Sequence, residues 1–299
     1  MKKPNRSGAS APVGQSLKMK TPHSKKTKII CICNQKGGCG KTTSVVNISA
    51  SLAYFGFKTL VIDLDAQCNA TSGLGLNLET NMLSVFDLLI APHKNNPKDA
   101  IFETKLKNLF VLPASIELSE FESCVASEIG RENKLKKLIS QFSHEYDYIF
   151  IDTPPSLGLL SINALNASNE VFIAMQTHPF AFDGLNLLLD TISLVKEELN
   201  SKVEVSGIMV TMFDKRTKIS FEILNRIKAS PELKDLLFQT IIRQNIKLAE
   251  SSNVGKPVLI YAPSSYGTAD YLNLAQEILK KHKFLIKKKS MLKNDDLLF

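Results

Sequence analysis

Asn34-Gln-Lys-Gly-Gly-Cys-Gly-Lys-Thr-Thr43 decides how this chain is read. Before it, Lys28-Ile-Ile-Cys-Ile-Cys33 is a short apolar run of the kind that forms a strand buried in a parallel sheet. After it, the pattern predicts a helix from Thr42 to about Phe55. A Gly-rich turn between strand and helix is a phosphate cradle. Glycines let backbone N–H groups converge on phosphate oxygens, and the helix N-terminus adds its partial positive charge. In such a turn Lys41 is placed to reach the outer phosphates, and the Thr42 hydroxyl to hold Mg²⁺.

Working outward, Thr59-Leu-Val-Ile-Asp-Leu-Asp65 reads as a second strand, and apolar runs at 109–113, 147–152, 170–175 and 205–211 repeat the theme. Helical periodicity lies between them. Over 181–199 it puts Leu185, Leu188, Leu189, Ile192 and Val195 on one face, and it returns over Tyr266–Lys281. Alternating strands and helices predict the α/β class: a single doubly wound, mostly parallel β-sheet flanked by helices, with ligands at the carboxyl ends of the strands. No internal repeat or second core is visible, so 28–281 is expected to be one domain.

The net charge of +8 is concentrated at the ends. Residues 1–28 hold eight Lys/Arg and no Asp/Glu, residues 280–299 hold seven Lys and two Asp, and the span 29–279 is left near −5. Segments 1–27 and 282–299 are therefore expected to be basic tails, solvated and able to hold DNA or an anionic surface weakly. No apolar run reaches the roughly 18 residues of a membrane span, and the first segment lacks the apolar stretch of a secretory signal. The expectation is a cytoplasmic protein without stable membrane insertion. Five cysteines at irregular spacing suit a reducing compartment, with Cys31 and Cys33 on one strand face as core residues.

The loop departs from the standard phosphate loop, because Gln35 stands where a glycine is expected and Lys36 heads the turn. It resembles the KGGxGKTT signature of the deviant Walker A ATPases, whose extra lysine reaches across a nucleotide-sandwich dimer. The resemblance implies a deviant Walker A P-loop NTPase fold, with ATP held by Lys36, Gly37, Gly38, Cys39, Gly40, Lys41, Thr42 and Thr43. Tyr148-Ile-Phe-Ile-Asp152, followed by Thr153-Pro-Pro-Ser156, resembles a Walker B strand, so that Asp152 would join Thr42 at Mg²⁺.

Val61-Ile-Asp-Leu-Asp-Ala-Gln-Cys-Asn-Ala-Thr-Ser-Gly-Leu-Gly75 resembles the DLDPQGNATSGLG motif of the ParA/Soj family. That match implies that Asp65 orients or activates the attacking water and that Asp63 supports the site. Ala66 and Cys68 replace the family's Pro and Gly. Similarity to ParA/Soj runs from about 28 to 280. Thr211-Met-Phe-Asp-Lys-Arg-Thr217 resembles the family's TM(F/Y)DGRT segment, implying non-specific DNA contact by Arg216. Ile242-Arg-Gln-Asn-Ile-Lys-Leu-Ala-Glu250 resembles IPRNVRLSE, implying Asn245 near adenine and Lys247 at a second DNA contact. Arg243 takes a proline's place, Pro263-Ser-Ser-Tyr-Gly267 replaces the basic PKSRG, and Gln176-Thr-His-Pro-Phe180 replaces QTEYY.

The family implies a homodimer when ATP is bound, non-specific binding to nucleoid DNA, a ParB-like activator and slow hydrolysis that positions chromosome, plasmid or protein cargo. Three other classes share the lysine-headed loop or the fold. A MinD-like membrane-cycling division regulator needs a C-terminal amphipathic helix, and Phe284, Leu285, Met291, Leu292, Leu298 and Phe299 recur beside many lysines, interrupted by Lys288 and Asp295. A reductase resembling the nitrogenase iron protein needs late cysteines, and Cys124 is the last one here. An ATP-dependent ligase would need a further small-molecule substrate.

Overall fold

Short runs rich in Ile, Val, Leu and Phe build the strands of a computed structural model that describes residues 26–77, 79 and 82–284. The first half of the chain gives β1 (Lys28–Cys33), α1 (Lys41–Tyr54), β2 (Thr59–Asp63), α2 (Asn69–Gly73), α3 (Val85–Ile90), β3 (Phe102–Glu103), β4 (Leu109–Leu112), α4 (Phe121–Cys124) and α5 (Lys134–Ser140). The second half gives β5 (Tyr148–Asp152), α6 (Leu159–Ala167), β6 (Glu170–Gln176), α7 (Leu185–Glu198), β7 (Glu204–Thr211), α8 (Lys218–Ala229), α9 (Ile246–Asn253), α10 (Val258–Tyr261) and α11 (Tyr266–Lys281).

The sheet runs β3-β4-β2-β5-β1-β6-β7, parallel throughout except for the two-residue edge strand β3. This is the doubly wound α/β sheet expected. β1 lies between β5 and β6, and the chain leaves it for β2 on one side before reaching β6 on the other. The carboxyl end of β1 is therefore a topological switch point, where a doubly wound sheet opens a crevice. Period-two alternation sorts the strands into two apolar layers. Cys31, Cys33, Ile62, Ile149 and Ile151 pack toward α5, α6 and α7, whereas Ile30, Ile32, Val61 and Phe150 pack toward α1 and α11. Each such side chain, fully buried, contributes about 1.5–3 kcal/mol.

Two elements end earlier or start later than their periodicity predicts. β2 stops at Asp63 rather than Asp65 because the Asp63 carboxylate accepts the Asp65 N–H at 3.1 Å and the Thr71 N–H and hydroxyl at 2.8 Å each, which turns the chain. α7 starts at Leu185 rather than 181, behind Gly184 at φ 75°. Residues 177–184 are irregular.

The opposite end of the sheet is closed by a polar latch. Glu170, opening β6, accepts Lys28 Nζ at 2.6 Å and the Ser206 hydroxyl at 2.7 Å, and lies 3.0 Å from His282 Nε2. His282 Nδ1 is 3.0 Å from the buried Tyr148 hydroxyl, and the Phe284 ring packs on Phe57 at 5.1 Å. At the other terminus the Thr27 hydroxyl donates to the carbonyls of Ser143 and Tyr146. Packing thus extends from Thr27 to Phe284, one residue before the expected domain start and three past its expected end. The remainder of both basic segments, including the C-terminal apolar stripe beyond Phe284, lies outside the described residues. Among the described residues no helix is long and apolar enough to cross a membrane.

Burial opposes ionisation of Glu170, but hydrogen bonds from His282 and Lys28 outweigh it and hold the carboxyl at about 2, below its ordinary value. A depressed carboxylate stabilises the fold above its unfolded pKa, and that contribution is lost as pH falls through the folded value. Glu170→Gln should therefore lower the unfolding free energy by about 2 kcal/mol at pH 7. In urea titrations its deficit against the unmodified protein should shrink between pH 4.5 and 2.

Candidate nucleotide-binding site

The Gly-rich turn joins β1 to α1 at the switch point. Gly38 and Gly40 adopt φ of 71° and 87°, in the left-handed region that glycine enters without strain. A Cβ at Gly37 or Gly38 would meet nothing within 4 Å, so that side of the loop is open. The closed side is pinned by neighbouring strands. Asn34 Nδ2 donates to the Ala174 carbonyl of β6 at 2.6 Å while its Oδ1 accepts the Lys36 N–H, and the Thr211 hydroxyl donates to the Cys39 carbonyl at 2.7 Å. Lys41 is buried, with Nζ 3.3 Å from the Lys36 carbonyl. Lys36 is half-buried and has no ion-pair partner among the described residues.

Facing this turn, parallel register sets carboxylates side by side: Asp63 of β2 is the lateral partner of Asp152 of β5, which is one residue past the partner of β1 Cys31. Both are fully buried. Asp63 is satisfied by three hydrogen bonds, yet burial still raises its carboxyl to about 6. Asp152 differs, for neither of its oxygens has a hydrogen-bond partner. Burial, and next the charge of Asp63, push its carboxyl well above the usual range, and the Thr42 hydroxyl and the Lys41 ammonium, which lie close enough to favour the charged form, do not close a hydrogen bond to it. A buried carboxylate without partners is costly unless a cation meets it. The site fits Mg²⁺: Thr42 and Asp152 would hold it, beside a loop open to phosphate. An open cleft of about 480 Å³ continues from Thr42 and Thr43 between α1, α2 and α9, lined also by Asn69 and Ser252.

The remaining sequence candidates sit around this centre. Asp65 is half-exposed beyond β2, its carboxylate accepting the Gln67 N–H at 3.0 Å. Cys68 stands at φ 53°, a left-handed position where the resembling motif has glycine, and burial raises its thiol to about 11. Asn245 caps α9, its side chain accepting the Lys247 N–H at 2.8 Å. A parallel bridge between Phe213 and Arg243 lays the Arg216 segment beside the Lys247 segment. Arg216 is 80% exposed in its side chain and grips Asp214 through two parallel hydrogen bonds, which hold that carboxyl at about 2. Lys247 pairs with Glu250 at 2.7 Å. Sequence reading overlooked Asn34, Thr71 and Thr211. Asn34 and Thr211 are small hydrogen-bonding residues at the ends of predicted strands, which was the available signal, whereas Thr71 lies within α2 and has no such mark.

A lysine-headed phosphate loop at a sheet switch point, faced by an unpartnered carboxylate, is the construction of the P-loop nucleotide-binding proteins. Known proteins agree with this class. Residues 27–205 match the AAA domain family. The sporulation initiation inhibitor protein Soj of Bacillus subtilis is 43% identical over 251 residues, spanning 84% of this chain and 98% of Soj. The chromosome-partitioning ATPase Soj of Treponema pallidum is 42% identical, over 85% and 98% of the two chains. In structure, cobyrinic acid a,c-diamide synthase from Mycobacterium smegmatis with bound ATP analogue and magnesium superposes with a TM-score of 0.74 at 30% identity, over 86% of this chain and 96% of that one.

The chain belongs to the Soj/ParA family of chromosome-partitioning ATPases.

An unpartnered buried carboxylate trades stability for binding. Asp152→Asn should raise the unfolding free energy of the nucleotide-free protein by about 1–3 kcal/mol. The same variant should lose the thermal shift that magnesium adds in the presence of ADP.

Proposed function

We propose that this protein is an ATP-driven dimerisation switch that binds DNA non-specifically and positions chromosome, plasmid or protein cargo on the nucleoid. The observation that carries the reading is the Asp152 carboxylate, buried without a hydrogen-bond partner at the end of β5, near the Lys41 and Thr42 that follow the Gly-rich turn. Backbone N–H groups of the turn and the N-terminus of α1 receive the phosphates, and Lys41 neutralises their outer oxygens. Bound Mg²⁺, held by Thr42 and Asp152, supplies further charge neutralisation. Phosphoryl transfer needs in-line geometry more than covalent help, so Asp65 has only to orient a water molecule.

Lys36 gives the switch its direction. Its ammonium has no ion-pair partner among the described residues, and in this proposal it meets the phosphates bound by a second copy. ATP then stabilises the dimer through a contact that only two subunits can make, and hydrolysis removes it. Asn245, at the head of α9, would meet adenine, as the resemblance implies. Arg216 and Lys247 contact DNA phosphates after releasing Asp214 and Glu250. Solvent screens exposed pairs of this kind, so the exchange costs little. A ParB-like partner would accelerate the hydrolysis.

Gel filtration with phosphate-release assays tests the assignment of roles. Lys41→Ala should abolish ATP binding, Lys36→Gln should bind ATP without forming ATP-dependent dimers, and Asp65→Ala should give ATP dimers that do not turn over. The structural likeness to cobyrinic acid a,c-diamide synthase makes a ligase the competing reading. ATP turnover that requires a small carboxylic acid and ammonia or glutamine, and is indifferent to DNA, would establish the ligase instead. For the DNA contacts, Arg216→Ala should weaken binding to all duplex sequences alike and reduce the slope of log affinity against log salt by about 1.

A further inference from the structure

We propose that Thr211 is a positioning residue of the phosphate loop, holding it in the shape that receives a nucleotide; the inference rests on the nucleotide reading above. Thr211 is the last residue of β7, on the far side of β6 from β1, and its side chain is buried. Its hydroxyl donates to the Cys39 carbonyl at 2.7 Å across 172 residues of sequence. Its side-chain carbons lie 3.6 Å from where a Gly40 Cβ would stand, so the threonine flanks the last glycine of the loop as well as bonding to the residue before it.

The peptide plane makes that contact directional. In a trans peptide the carbonyl and the following N–H point opposite ways, and the plane rotates as a unit. Tying the Cys39 carbonyl to β7 therefore turns the Gly40 N–H away from β7. Among the described residues that N–H has no acceptor. Gly40 itself, at φ 87°, has little intrinsic conformational preference, and a glycine-rich turn left alone samples many orientations of this plane. The Thr211 bond removes that freedom before the ligand arrives, which lowers the entropy that binding must overcome. Asn34 fixes the first peptide of the turn from β6, and Thr211 fixes the last one from β7. The two pegs lie at opposite ends of the same loop.

Thr211 also begins the Thr211–Thr217 stretch, and Met212 follows it at φ 52°, in the left-handed region. The chain thus turns sharply directly behind the peg.

Isothermal titration with Mg-ADP tests the role, using Thr211→Val, Thr211→Ser and Lys41→Ala beside the unmodified protein. T211V keeps the shape of the side chain and removes the donor, so affinity should fall about five- to tenfold. T211S restores the hydroxyl and should bind within about twofold of the unmodified chain. Thr211→Ala, which introduces no misplaced methyl group, should show the same loss as T211V and serves if that variant fails to fold. The inference is overturned if T211V or T211A binds as tightly as the unmodified protein while K41A loses binding. It is equally overturned if T211S is as weak as the variants without a hydroxyl. An unmodified protein that does not bind Mg-ADP overturns the nucleotide reading, and this inference with it.

Discussion

Two carboxylates held dry and adjacent at the carboxyl end of a parallel sheet set the terms for the rest of this molecule. Asp63 and Asp152 are lateral partners in neighbouring strands, both without solvent exposure, and after burial itself the charge of Asp63 raises the proton affinity of Asp152. The fold resolves one of them internally, by wrapping Asp65 and Thr71 around Asp63. It leaves the other open on both oxygens. Lys41 is buried nearby, and the first turn of α1 brings its unpaired N–H groups to the same crevice. The result is a pre-arranged concentration of charge that a cation and an anion can complete together.

Much of this was legible in the sequence, for a physical reason. Strand, glycine turn and helix follow one another without interruption from Lys28 to Tyr54, so local pattern alone placed the loop on the sheet and put Lys41 and Thr42 at the helix start. The same holds for Asp152, whose position at the end of an apolar run needs no tertiary information. What escaped depends on contacts between distant segments. The bond from Thr211 to Cys39 follows from strand order, which periodicity does not encode. The early end of β2 is a matter of one carboxylate capturing three donors, and the late start of α7 of a glycine with positive φ. The extension of packing to Phe284 reflects His282 meeting Glu170 and Tyr148 beneath the sheet.

The departures from the ParA/Soj pattern are of two kinds. Cys68 occupies a left-handed position where glycine would be relaxed, a local strain of about 1–2 kcal/mol. Arg243 and Tyr266 form a matched pair. The guanidinium stacks on the Tyr266 ring at 4.3 Å and clasps Asp270 at 2.5 Å, so the arginine that replaces a proline is braced by the tyrosine in the otherwise uncharged Ser264–Tyr266 segment. Tyr266 is 67% exposed, so this corner presents an aromatic face and a partly satisfied arginine in place of a row of free cations. The basic segments at the two ends of the chain carry the positive charge that this surface lacks.

Sedimentation velocity of the full chain, with Mg²⁺ and a saturating non-hydrolysable ATP analogue, tests the central claim most directly. The 33.1 kDa chain should sediment as a species of twice that mass with the analogue and as a monomer with ADP. A monomer in both conditions, with binding of the analogue shown independently, would contradict the account of a lysine shared between two subunits.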